Sequence, residues 1–301
     1  MRIFRISMIV AVVAALVWTI RKAVLEFHNQ PIQLSDINFT RLALAAVVYV
    51  GALLFSWVYW YQVLIAFKQK PRVLKSIGAF YISQLGKYVP GKAMVVIIRT
   101  DRVRDDKVSI APAAASVFVE TFTWIFVGAA IASCLLIVKF QQFRWLQVTA
   151  VLLMVGAGIV TWPPIFNWIA TKIRPINSKR HSYAVDLRTM ITGWIALAIG
   201  WTLNGCCLWL VISALPGANP TNAHLAVTLA AVTLATVGGF VSLIPGGLGV
   251  RELVMIPLLG SEFGTVVAVM AAILVRLVWL SAELASSAIL YVTEYMIQKG
   301  K

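Results

Sequence analysis

Lys87 and Lys92 flank a Pro90-Gly91 step inside an otherwise apolar segment, with Tyr88 beside the first of them. Arg99 follows closely, and a lone carboxylate, Glu120, stands well inside the next apolar run. The theme returns later in the chain. Pro245, Gly246, Gly247 and Gly249 interrupt an apolar run, Arg251 and Glu252 come just after the interruption, and the last run carries Arg276 and Glu283. A charge at the centre of a bilayer costs about 2.5–3.5 kcal/mol on insertion scales, so each of these ions needs a reason. Ammonium and guanidinium groups beside a broken helix suit an anion, above all a phosphate, because the free N–H groups of a half-helix N-terminus add to the attraction.

Each residue also has a plainer reading. Lys87 and Lys92 lie within snorkelling reach of the interface if their segment is shallow. Glu120 is expected to face the protein interior and pair with Lys87, Lys92 or Arg276, either as a structural ion pair or as a proton carrier. Arg276 and Glu283 are two helical turns apart and share a face, and each is a candidate partner for the Arg251-Glu252 step. Gln84, Trp201 and Asn204 are lesser polar candidates, of the kind that bonds helix to helix in a membrane.

The elements that must position these groups follow from composition. The chain has 301 residues, of which 60% are hydrophobic and only 12% charged, with a mean hydropathy of +0.88. Soluble domains carry about 25% charged residues. Continuous apolar runs recur, which argues for spanning helices and against a β-barrel with its alternating pattern. The formal charge of +15 therefore points to basic loops on the cytoplasmic side rather than to nucleic acid.

Full spans are expected at 6–20, 42–67, 110–138, 146–169, 190–215 and 266–296, with broken segments at 77–98 and 225–260. Taking both broken segments as re-entrant hairpins puts seventeen of the 26 basic residues on the side that holds both termini, against five on the other. Letting both cross would move two basic clusters outside, against the positive-inside bias. The reading is thus an all-α integral membrane protein, a single polytopic domain over 1–301. It has about six full spans plus two oppositely oriented Pro-Gly-broken hairpins.

Pro90 precedes Glu120 much as Pro245 precedes Arg276, so the halves 1–170 and 188–298 form a candidate inverted repeat. Transporters built that way hold substrate near midplane at broken helices. Cys134, Cys206 and Cys207 sit in apolar runs and read as small hydrophobes. No phosphate-binding P-loop, metal-spaced Cys/His set or nucleophile elbow occurs, so no enzyme activity, metal or cofactor is expected.

The segment GKYVPGK with Arg99 and SVFVE (Ser116 to Glu120), followed by IPGGLGVRE (Ile244 to Glu252), resembles the flippase-like membrane domain of bacterial lysylphosphatidylglycerol synthases, which also occurs alone. The resemblance covers nearly the whole chain. It implies movement of a lipid between leaflets of the bacterial cytoplasmic membrane, with membrane lipids as partners. The synthases add a soluble aminoacyl-transfer domain that this sequence lacks, so the synthase activity is not carried over. The expected function is translocation of an anionic phospholipid or a polyprenyl-phosphate-linked glycolipid. Two alternatives are a membrane scaffold for a lipid- or glycan-synthesising enzyme and a small-solute secondary transporter.

Overall fold

A computed structural model describes residues 34–89, 93–105, 107–162, 185–242 and 249–299, with 21, 25, 164, 165, 244 and 247 besides. Pro90, Gly91, Lys92, Pro245, Gly246 and the expected span at 6–20 lie outside the described residues. Among the described residues nine α-helices form: α1 (Phe39–Ala66), α2 (Val73–Ser83), α3 (Ala93–Val103), α4 (Ile110–Lys139), α5 (Arg144–Thr161), α6 (Leu187–Ser213), α7 (Leu225–Val241), α8 (Val250–Phe263) and α9 (Thr265–Lys299). Helices satisfy their own backbone groups, which hydrocarbon cannot do for them. Two long helices begin on side-chain caps. The Asn38 carbonyl accepts the Arg41 N–H at 3.1 Å, and the Asp186 carboxylate accepts that of Thr189 at 3.1 Å.

The first broken segment is a helical hairpin whose arms, α2 and α3, pack on each other. Each arm has 11 residues, or about 16 Å of helix, roughly half of a hydrocarbon core, so neither crosses. A short 3-10 turn, Gln84–Tyr88, carries α2 on to the tip. The arms touch at Gly86, where a Cβ would stand 2.7 Å from the Val95 backbone nitrogen. The second hairpin, α7 and α8, is longer, with arms of 17 and 14 residues. Its turn uses left-handed backbone at Gly247 (φ 68°) and Gly249 (φ 84°), which explains glycine in that motif.

The span list changes in one place. Six helices among the described residues are long and apolar enough to cross a membrane. They include Asn222–Val241, the first arm of the second hairpin, which had been assigned to a re-entrant segment. The cause is length: this arm continues unbroken through the 3-10 turn Asn222–His224, whereas α2 stops after 11 residues.

Helix α9 shows how the hairpins are directed. The junction of the second hairpin lies against its start, with Gly260 beside Ala268. The second tip follows, with Glu252 at Arg276 and Arg251 over Trp279. Next comes the first tip, with Lys87 at Glu283. Last is the base of the first hairpin, where Arg102 meets Glu294. The two tips therefore point at each other from opposite ends, in agreement with the expected opposite orientation.

The packing also repeats between halves. Exchange α1 with α6, α2 with α7, α3 with α8 and α4 with α9, and the packed pairs map onto packed pairs. Thus α4 packs on α7 as α9 packs on α2, α3 packs on α4 as α8 packs on α9, and α1 packs on α9 as α6 packs on α4. Helices α1 and α6 meet each other antiparallel. Asn38 bonds Ala214, Ala52 faces Gly200 and Tyr59 faces Gly193, so the number falls along α6 as it rises along α1. Small residues at this seam let the two backbones approach, which is how membrane helices associate. Helix α5 packs on α4, outside the repeated unit.

Candidate functional site

The facing tips enclose a partly open cavity. Lys87 reaches it from the first hairpin, Arg251 from the second, and Arg99 and Glu120 from α3 and α4. Among the described residues three ion pairs surround it. Arg99 donates from Nη1 to Glu120 at 3.0 Å and from Nε to Ser83 Oγ at 2.9 Å. Its guanidinium lies between the rings of Phe80 (4.2 Å) and Trp60 (5.1 Å), and only 2% of the residue is exposed. Lys87 pairs with Glu283, which also accepts the Tyr49 hydroxyl. Arg276 pairs with Glu252.

Several sequence expectations are corrected here. Glu120 was expected to pair with Lys87, Lys92 or Arg276, and its partner is Arg99. Arg99 is a buried residue of α3, not part of a solvated basic loop. Glu283 was paired in expectation with the Arg251-Glu252 step, and it bonds Lys87 instead, because the first tip and not the second lies at its level of α9. The Arg276–Glu252 contact is the pair foreseen between the last span and the second break.

Glu252 has a second bond. Its carboxylate accepts the Gly249 N–H at 2.7 Å, so it holds the N-terminus of α8 while paired with Arg276. The repeat therefore carries an ion pair in each half with its signs exchanged. In the first half the hairpin arm supplies the cation and the following span the anion; in the second half the order is reversed.

Arg251 differs from the other cavity cations. Its guanidinium stacks on Trp279 at 5.1 Å, and it makes no ion pair among the described residues. Its Nε is buried and without a hydrogen-bond partner there. Tyr88 is buried with its ring 5.3 Å from the Lys87 ammonium, beside the cavity rather than lining it. Glu283 and Arg276 stand behind the wall as partners of residues in or next to it.

The rest of the lining was mostly hidden in the sequence. Gln84, Trp201 and Asn204 are among the polar candidates of the sequence, whereas Tyr49, Ser56, Trp124, Thr236 and Trp279 are not. A tyrosine hydroxyl deep in an apolar run was a usable signal for Tyr49, since buried Tyr seeks a partner. Outside the membrane segments, the base of the first hairpin is tied by Lys75, which donates to the Arg104 carbonyl (2.7 Å) and to Asp105 (3.3 Å). Burial pushes the Asp105 carboxyl up, but the Lys107 backbone N–H and the Lys75 ammonium outweigh it and hold the group below its usual range.

No metal-binding cluster of His, Cys, Asp and Glu occurs among the described residues. Fold and site together define a multi-pass membrane protein whose two inverted hairpins meet at a charged interior cavity. The chain belongs to the family described as the lysylphosphatidylglycerol synthase TM region, whose model matches residues 6–282. The family is one of membrane domains related to lipid handling. No curated protein matches the chain.

Proposed function

We propose that this chain is a lipid translocase that carries an anionic headgroup between the leaflets of a bacterial cytoplasmic membrane. The headgroup belongs to a phospholipid or a polyprenyl-phosphate-linked glycolipid. One observation carries the reading: hairpins of opposite direction bring Lys87 and Arg251 to a common cavity near the middle of α9. A headgroup crosses hydrocarbon at low cost only where protein groups replace its water, while its tails remain in lipid. The inverted repeat supplies two related arrangements, each with a hairpin held to its following span by one ion pair. Exchanging them opens the cavity first to one leaflet and then to the other.

The base of the first hairpin gathers Lys68, Lys70, Arg72, Lys75, Arg102, Arg104 and Lys107, which supports a cytoplasmic position for that end. The last turns of α9 reach the same end through Arg102 and Glu294, so the C-terminus belongs on that side in this reading. A lipid-synthesising enzyme on the cytoplasmic face is the partner such a substrate requires.

Reconstitution tests the proposal. Liposomes holding the full chain and a tail-labelled phosphatidylglycerol are treated with an impermeant quencher. Quenching beyond the outer-leaflet share, reaching nearly the whole pool, is the expected result. A plateau at the outer-leaflet share, as in empty liposomes, would contradict translocation.

A further inference from the structure

We infer that the cavity selects a headgroup of one net negative charge, a phosphodiester bearing uncharged hydroxyl groups, and disfavours zwitterionic and net-cationic headgroups. The inference rests on the translocase reading for its lipid source, but its charge argument stands on the cavity alone. Among the described residues around the cavity, Lys87 is balanced by Glu283, Arg99 by Glu120 and Arg276 by Glu252. One cation, Arg251, is left over. A single anion balances it, and an ammonium group finds no carboxylate in the lining that is not already paired.

The geometry of Arg251 suits that role. Stacking on Trp279 fixes the plane of the guanidinium, whose terminal N–H donors would take two phosphate oxygens. Its Nε is buried against Gly239 and Gly247 of the second hairpin, so the terminal nitrogens are the donors that would meet the phosphate. The remainder of the lining is neutral. Ser56, Gln84, Thr121, Asn204 and Thr236 offer hydroxyl and amide groups, and the stacked rings of Trp124 and Trp201 (4.4 Å) offer a flat apolar wall. The Thr236 hydroxyl is also buried without a partner among the described residues. Neutral donors and acceptors beside aromatic faces match a polyol or sugar, not an amine.

Calorimetric titration of the detergent-solubilised full chain tests this with short-tailed lipids of one tail composition. Phosphatidylglycerol is expected to bind at least about tenfold more tightly than phosphatidylethanolamine or lysylphosphatidylglycerol, a gap of about 1.4 kcal/mol. Arg251→Gln should bring the three within about threefold of one another, and Arg251→Lys should keep their order while weakening all of them. Lysylphosphatidylglycerol binding as tightly as phosphatidylglycerol would overturn the inference, as would an unchanged ranking in a folded Arg251→Gln protein. Tail-less glycerophosphoglycerol binding as tightly as the lipid would keep the charge preference and make a soluble phosphodiester the ligand. The expected ranking without any lipid movement in liposomes would remove the translocase reading alone. Movement with no ranking would remove this inference alone.

Discussion

Replacing Glu120 by alanine is expected to destabilise the protein by about 3–5 kcal/mol, seen as a large fall in melting temperature in detergent. The carboxylate is the only ion paired with Arg99 among the described residues, and Arg99 is 2% exposed between two aromatic rings. Without it the guanidinium keeps Ser83 Oγ but loses its countercharge in a site with little water. The double variant Arg99→Met, Glu120→Leu should recover most of the loss, because an apolar pair of similar volume needs no compensation. Lipid movement by that double variant should nonetheless stay low, since the pair also lines the cavity. A melting temperature unchanged in Glu120→Ala would show that the two side chains are not paired.

Gly86→Val acts by a different route. A Cβ at this position would stand 2.7 Å from the Val95 nitrogen and 2.8 Å from the Met94 carbonyl carbon. Both are backbone atoms of the opposite arm, so neither can rotate aside. The arms must part, and Lys87, the next residue, moves with the tip away from Glu283. Overpacking of this kind costs about 1–3 kcal/mol. The expected functional loss is larger than the loss of stability, at least about tenfold in lipid movement, because the displaced group lines the cavity. Gly51, which has open space around it, is the matched control: alanine or valine there should leave lipid movement unchanged. Equal behaviour of the two variants would contradict the close contact of the hairpin arms.

These two residues also mark what could be read from the sequence. Gly86 belongs to GKYVPGK, a motif visible as an interruption in an apolar run, and the interruption was enough to place the first hairpin. The charge asymmetry of the loops gave the opposite direction of the second hairpin, which the contacts along α9 reproduce. Glu120 was legible as a buried ion but its partner was not. Several cations lay at plausible distances along the chain, and which one meets it depends on the arm of α3 turning Arg99 inward. For the same reason Lys87 and Glu283, far apart in sequence, could not be matched without the packing of the first tip on α9.

The cavity lining was the least legible part. In a membrane protein an aromatic residue facing lipid and one facing a cavity have the same composition signal, so Trp124, Phe240 and Trp279 read as ordinary span residues. The length of α7 was legible, since the apolar run from Leu225 to the glycine-rich break is visible in the sequence; its place in a hairpin is what set it apart from the full spans. The helix runs uninterrupted up to that break, with enough apolar residues to cross.

The central claim is that headgroups pass through the cavity between the hairpin tips. A reversible block inside that cavity tests it most directly. Asn204, which lines it, is replaced by cysteine in a chain whose Cys134, Cys206 and Cys207 are alanine. The reconstituted protein is then treated with a bulky thiol reagent that forms a mixed disulfide. Lipid movement should fall to the level of empty liposomes on modification and return after reduction, a recovery that misfolding would not allow. Full modification confirmed by mass spectrometry, with lipid movement undiminished, would contradict the account.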